Sequence, residues 1–374
     1  MFDIKALMDR FGIDSDQFRK AVGFEPDRVE ELLTGSDLSL AELRRISSAF
    51  KISLSSLVER DEKQVRANIL FRRGVPAGKE VDQPSVDEMT FRISHSFDLV
   101  DTVREPFWTK YFLIEEENYQ TAERCAEQFR RIFFDGDFVS PLLRLPSIVV
   151  ESMNVLLFVV DIKNIEGAAA YISGQPFIFL ARSFPPRMLF TLAHEVGHVL
   201  AHSIDGDSFA IMDFEDDTAQ LPPDQRKMEA YANTFASTLL LPAAGVGVAL
   251  KKIREVANIT SDQIGDIEIL FISRIFGTSF QVAAKRCEDL KLIPIGGAAS
   301  LYEFLVKESG SPEKRAMELN LPPRLDVDFP TIPSRLLSSA IEKIKSGDIS
   351  IGRAAAILGV SISKIMAAHA PASH

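Results

Sequence analysis

Cysteine is nearly absent: there are two in 374 residues, beside a single tryptophan and six histidines. Cys125 and Cys287 lie in no CxxC pair and no Cys/His cluster, which excludes a disulfide-stapled scaffold and a thiolate zinc finger. Long apolar runs are missing too. The longest, Val155 to Val160, falls far short of the ~20 residues that cross a bilayer. The first residues, MFDIKALMDRFG, mix both charge signs and lack the basic start and apolar stretch of a signal peptide, so a cytoplasmic location and no membrane partner are expected. Positive charge is in short supply, with 42 Lys/Arg against 53 Asp/Glu, a net charge of -11 and a pI near 5.2. Any contact with nucleic acid must therefore come from a local patch. There is no internal repeat. What remains is 46% hydrophobic and 25% charged, the composition of a folded globular protein, on a chain long enough for more than one core.

The apolar positions of the first 58 residues recur at helical spacing. Asp14 with Gln17, and Ser39 with Glu42, have the spacing of capping boxes, and Gly23 and Gly35 punctuate the segments. Five short helices follow, over 2–10, 15–22, 26–34, 39–49 and 53–58. Their core is Leu7, Phe11, Phe18, Val22, Val29, Leu32, Leu43, Ile46, Phe50 and Leu57. This unit resembles the repressor-type helix-turn-helix domain of the xenobiotic-response-element family, with residues 26 to 33 as recognition helix. The resemblance implies that Arg28 approaches DNA. Glu25, Asp27, Glu30 and Glu31 share that helix, and the unit carries eight Lys/Arg against ten Asp/Glu, a balance that opposes phosphate binding and favours protein docking equally well.

Residues 59–119 read as a linker and helical arm, with a strand at Ala67 to Phe71 and a helix containing Phe91, Phe97, Trp108 and Phe112. From 120 to 245 the pattern gives a helix over Thr121 to Phe134 and strands at Val155 to Val160, Ala168 to Ile172 and Pro176 to Leu180. Two helices then follow, Met188 to His202 and Arg226 to Leu241. The fold class expected is mostly α (α+β): a helical N-terminal domain, a small central domain with a short sheet, and a helical C-terminal region over 246–374.

His194-Glu195-Val196-Gly197-His198 is an HExxH on the first of those two helices. Residues four apart lie on one helical face, so both imidazoles reach a single ion, and Glu195 falls beside them as a general base for water. A catalytic zinc takes three protein ligands. The third is either His202, one turn further along the same helix, or a carboxylate on the next helix. Three collinear side chains surround a tetrahedral centre badly, which favours Glu229, at the head of a stretch of small residues suited to close helix packing. His202 and Asn233 then orient the site from outside the ligand set. One Zn2+ per chain is expected, although manganese or iron also suits two His and one carboxylate.

At these residues the chain resembles the ImmA/IrrE metallopeptidases, also called DUF955. The likeness runs through Arg187, Phe190-Thr191-Leu192-Ala193-His194-Glu195, Gly197-His198 and His202, then Glu229 to Ala236 and Leu239-Leu240-Leu241-Pro242. It implies a zincin-like domain with His194, His198 and Glu229 as zinc ligands and Glu195 as acid/base. It also implies a bacterial or mobile-element protease that cuts a helix-turn-helix repressor. Phe177, Ile178 and Phe179, in the strand before the HExxH helix, are expected to form an edge that takes an extended substrate by strand addition. Asp205, Asp207, Asp213, Glu215, Asp216, Asp217 and Asp224, between the two helices, form an acidic loop able to steer a basic segment. Tyr171 and Tyr231 are both open as oxyanion donors.

Beyond Pro242, Ile269 to Leu292 resembles the helix-turn-helix that follows the peptidase domain in IrrE-type proteins, with Lys285 and Arg286 as its DNA-facing cations. Ile349 to Ser361 looks like the short helix-turn-helix of some antitoxins, and Leu321 to Arg335 reads as a linker or partner-binding arm. The expected function is a zinc endopeptidase that cleaves one protein partner, a repressor or antitoxin, with a homodimer allowed for. The rival is a DNA-binding regulator or antitoxin whose zincin domain senses or scaffolds without turnover; a third reading is a docking module that masks a partner.

Overall fold

Asp14 starts the first described helix, α1 (Ser15–Val22), with a reciprocal cap. Its Oδ1 accepts from Gln17 N at 2.8 Å, and Gln17 Oε1 accepts from Asp14 N at 3.1 Å. Pro26 opens α2 (Pro26–Leu33), where its missing N–H would have had no helical partner anyway. Ser39 and Glu42 repeat the reciprocal cap at the head of α3 (Leu40–Phe50). The apolar stripes of the three helices meet through Phe18, Val22, Val29, Leu32 and Ile46, with Phe18 stacked on Phe50 at 5.7 Å. The computed structural model describes residues 4, 7, 8, 13–34, 36, 38–50, 70–71, 82–100, 106–112, 114, 116–203, 208–214, 221–330 and 332–369. Phe11, Gly35, Leu57 and the helix expected at 53–58 lie outside that set. The chain divides into two units, Met1–Arg66 and Ala67–His374, and the three helices above belong to the first.

The second unit is built on a four-stranded mixed sheet of order β1-β3-β2-β4: β1 (Leu156–Val160), β2 (Ile165–Ile172), β3 (Gln175–Ala181) and β4 (Phe209–Phe214). Only β1 and β3 run parallel. The helices around it are α4 (Gln83–Leu99), α5 (Tyr119–Phe133), α6 (Pro185–His202), α7 (Pro223–Leu240), α8 (Ala243–Val256), α9 (Asp266–Ile275), α10 (Phe280–Asp289), α11 (Gly297–Ser309), α12 (Pro312–Glu318), α13 (Ser334–Ser346), α14 (Ile351–Leu358) and α15 (Ile362–His369). The α+β class with a dominant helical content is as expected. Leu70 and Phe71, expected in a strand, are helical; Trp108 and Phe112 lie beyond the end of α4, on either side of a 3-10 turn at Thr109–Tyr111. No single helix among the described residues is long and apolar enough to cross a membrane.

Both faces of the sheet are covered. Leu157, Ala169, Ile178 and Leu180 join one core with α5, α6 and α7, while Leu156, Phe158, Ala168, Ala170, Phe177 and Phe179 join another with α4, α13 and α14. Strands buried on both sides must be apolar at every position, which explains the unbroken runs of β1 and β3. It also corrects the expectation for Phe177, Ile178 and Phe179. β3 is hydrogen-bonded to β1 on one side and β2 on the other, so it has no free edge for a substrate strand. Phe177 and Phe179 moreover face away from α6, against Phe97 at 5.8 Å and Phe158 at 5.4 Å.

The helices after Pro242 serve two cores. Those from α8 to α12 enclose Val246, Ile269, Phe276, Phe280 and Leu305, and the chain bends by 109° between α9 and α10. The segment between α12 and α13 is extended and tied down, since Arg324 donates to the carbonyls of Ser273 and Thr278 and pairs with Glu313. α13 and α14 then return to the far face of the sheet.

Candidate metal centre

α6 lies across the sheet and α7 lies on α6. Gly197 faces α7 closely: a Cβ there would come within 3.3 Å of the Ala232 backbone and 3.2 Å of Phe235, so a larger residue would push the two helices apart by a few tenths of an ångström. The approach delivers Glu229, on the first half of α7, to the two histidines of α6. His194 Nε2 and His198 Nε2 are 3.0 Å apart. Glu229 puts Oε2 3.2 Å from His194 Nε2 and Oε1 3.7 Å from His198 Nε2.

A fourth group arrives from the sheet. Asp213, on β4, places Oδ2 2.9 Å from His194 Nε2 and Oδ1 3.7 Å from His198 Nε2, and one donor atom from each of the four residues lies within 4.8 Å of all the others. Both Asp213 oxygens are buried. The chemistry of this set fits a metal ion. Two carboxylates and two imidazoles crowd one point in the interior, paired with one another through a proton on His194, and a metal ion would take the place of that proton. Ligand atoms held ~2.0 to 2.1 Å from a tetrahedral ion are ~3.3 Å apart. The pairwise distances above, 2.9 to 3.7 Å, bracket that edge length.

The surroundings point the ligands inward. Asn233, one turn after Glu229, offers Oδ1 to His194 Nδ1 at 3.0 Å; because that oxygen only accepts, Nδ1 carries the proton and Nε2 is left for the centre. His202 is outside the four-residue group. It stacks on His198 at 5.9 Å, meets Phe209 edge-on and lies 3.4 Å from Glu117 Oε1. Burial pushes His198 down to about 3 and His202 down to about 4, so both imidazoles are neutral, the form that binds metal. Burial would also lower His194, but Asp213 and Glu229 reverse it and hold this imidazole well above its usual range on the protein charges alone.

Glu195 is fully buried, and neither of its oxygens has a hydrogen-bond partner. Burial first, and then the negative charges of Asp213, Glu229 and Glu166, push its carboxyl well above the usual range. It fits because β2 has no side chain beneath it. A Cβ at Gly167 would overlap Glu195 Oε1 and sit 2.7 Å from Thr191 Cγ2. Gly167 follows a β-bulge: Ile165 pairs with Phe214 and Gly167 with Asp213, leaving Glu166 as the extra residue, where it meets Arg187 in the first turn of α6.

Asp213 and Gly167 were missed by the sequence reading. The run Phe209 to Phe214 carried a weak strand signal within what was read as an acidic loop. Ala210 and Met212 are buried against the far core, so the period of two turns Asp213 toward α6. Of the other acidic residues of that loop, Asp224 begins α7 and the remaining five lie outside the described set. Tyr171 stacks on Phe209, and the Tyr231 hydroxyl lies beside Cys125.

Of the cations expected at DNA, Arg286 needs correction, while Lys285 and Arg28 sit at the surface in ion pairs. Arg286 is 2% exposed and spends its guanidinium on the Leu241 carbonyl and Glu123, so it cannot reach a phosphate. Lys285 is held by Glu288 at 2.7 Å and Asp289 at 3.2 Å. Arg28 is held by Glu42 at 2.7 Å and Glu31 at 2.8 Å.

No curated protein matches the chain. Residues 150–288, which carry the sheet, the HExxH helix, Asp213 and Glu229, match the family model Peptidase_M78, the IrrE N-terminal-like domain, and this stretch is thereby supported as a metallopeptidase domain of the ImmA/IrrE type.

Proposed function

We propose that the chain is a zinc-dependent endopeptidase that cleaves one protein partner, a helix-turn-helix repressor or antitoxin, in regulated proteolysis. The observation that carries the reading is the convergence of His194, His198 and Glu229 beside a buried, unpartnered Glu195 within a region matched by a metallopeptidase family. His194, His198 and Glu229 would hold the ion, and a zinc ion so held polarises a peptide carbonyl and acidifies water. Glu195 takes the proton of the attacking water and delivers it to the leaving amide nitrogen. Its burial removes competing solvent and strengthens that exchange. Asn233 keeps His194 in the binding tautomer.

The peptide binds along β4 rather than β3. β4 ends the sheet, pairing with β2 alone among the described strands, so its outer backbone groups can take up an extended segment by strand addition. The N-terminal helices serve as a docking unit for the partner. Arg28 is already engaged by two carboxylates, which supports a protein surface over a phosphate-binding one.

The test compares newly formed protein N-termini in cells expressing wild type or Glu195→Gln. A fragment that appears only with the wild type identifies the substrate. Identical N-termini in both, together with an unchanged cellular effect, would leave the non-proteolytic regulator as the correct reading.

A further inference from the structure

The three ligands named above leave one corner of a tetrahedron for water and substrate, yet the structure fills that corner. Asp213 Oδ2 is 2.9 Å from His194 Nε2, closer than Glu229 Oε2 at 3.2 Å, and its Oδ1 lies 3.7 Å from His198 Nε2, as does Glu229 Oε1. By distance Asp213 is as good a ligand as Glu229. Both of its oxygens are buried, and the groups they face are the two histidines of the centre and the Glu195 carboxyl. Catalytic zinc sites keep an open position, whereas sites with four protein ligands are closed to water.

We infer that Asp213 is a fourth, exchangeable protein ligand that holds the metal centre closed at rest, and that its withdrawal on β4 opens the site for peptide hydrolysis. The inference rests on the metallopeptidase reading and adds a regulatory element to it. Its placement suits that use. Glu229 sits on a helix clamped against α6, whereas Asp213 sits on the terminal strand of the sheet, bonded on one side to β2 next to the bulge at Glu166. A peptide strand pairing with the outer edge of β4 acts directly on the backbone that carries Asp213. Substrate and gate thus share one strand, and a peptide that cannot pair with β4 leaves the centre closed.

The test uses the full chain loaded with Co2+, whose visible absorption reports coordination, and acetohydroxamate as a small probe for an open position. Wild type is expected to show a four-coordinate spectrum that does not change at hydroxamate concentrations that saturate Asp213→Ala. The variant is expected to respond, and to bind Co2+ at least about tenfold more weakly in chelator competition, since even residues that only orient a ligand are worth about 10- to 100-fold. Asp213→Asn, which keeps the shape and loses the charge, is expected to behave like Asp213→Ala; it provides the same readout if the alanine variant does not fold, as judged by circular dichroism. A wild-type spectrum that shifts with hydroxamate as readily as the variants, or a Co2+ affinity unchanged in them, overturns the role of Asp213 while leaving the peptidase reading intact. Failure of the wild type to bind Co2+ at all, or binding indifferent to His194→Ala, overturns both.

Discussion

Two helices of this chain carry recognisable motifs, and their polar side chains meet opposite fates. On α2, Arg28 reaches Glu31 on its own helix and Glu42 on α3, and the three charges satisfy one another at a partly open surface. On α6, His194, Glu195 and His198 are buried, and the groups that come to meet them, Asp213 and Glu229, are two more carboxylates aimed at the same point. The first arrangement is complete as it stands. The second gathers two carboxylates and two imidazoles in the interior, held together by a proton on His194 or by a metal ion in its place, and that burial is what marks it as a site. A motif on a helix is therefore weaker evidence of function than what the neighbouring elements bring to it.

This contrast can be broken most forcefully at α6. His194→Ala should abolish metal retention, from about one equivalent to none by elemental analysis, and activity with it. Glu195→Gln should keep the metal and lower turnover by about 10²- to 10⁴-fold, the usual contribution of a positioned acid/base. Equal metal loss in both variants would show that Glu195 supports the site rather than the reaction. Gly167→Ala probes the same carboxylate from the sheet. The added methyl meets Glu195 and Thr191, and a loss of about 1 to 3 kcal/mol in urea unfolding is expected, with metal content kept and activity impaired. Asn233→Ala should weaken metal binding by about 10- to 100-fold in a chelator titration, through the freed tautomer of His194.

The smallest effect belongs to α2. The Arg28 hydrogen bond holds the Glu42 carboxyl down to about 2 from an ordinary 4.5. A carboxyl lowered in the folded state stabilises it fully above the ordinary value, and that contribution fades as pH falls from 4.5 toward 2. Carboxyl titration by NMR should place Glu42 near the lower value in wild type and return it to the ordinary range in Arg28→Ala, with a small change in overall stability, as for ion pairs at a partly open surface.

The part of the site that was legible in the sequence is the part built from local periodicity. His194 and His198 share a face because they are four apart, and α7 could be placed from its small residues and the proline that follows it. Asp213 and Gly167 reach the site through strand pairing across more than forty positions of chain, and no local pattern records a register or a bulge. The strand error is more instructive. Phe177-Ile178-Phe179-Leu180 has no polar alternation, which already signals a strand covered on both faces rather than one waiting at an edge. The misplaced cation at Arg286 follows from the same limit. A guanidinium in a helical segment reads as surface until the carbonyl of Leu241, a residue distant in sequence, is found capping it.

The bulge in β2 makes the catalytic region sensitive to counting. Ile165 and Ala168 face the same core although they are three residues apart, an odd interval that one supernumerary residue makes possible. Deleting Glu166 would restore strict alternation and remove the residue that meets Arg187 at the start of α6. Ile165 and Gly167 would then be neighbours that still face opposite sides of the sheet, so the pairing of β2 with β4 survives and the contact with Arg187 is what is lost. Which residue is removed therefore matters more than how many: loss of the supernumerary Glu166 is felt at the head of the HExxH helix, whereas loss of Gly167 would leave Glu166 in its place and put a side chain where the bare backbone makes room for Glu195.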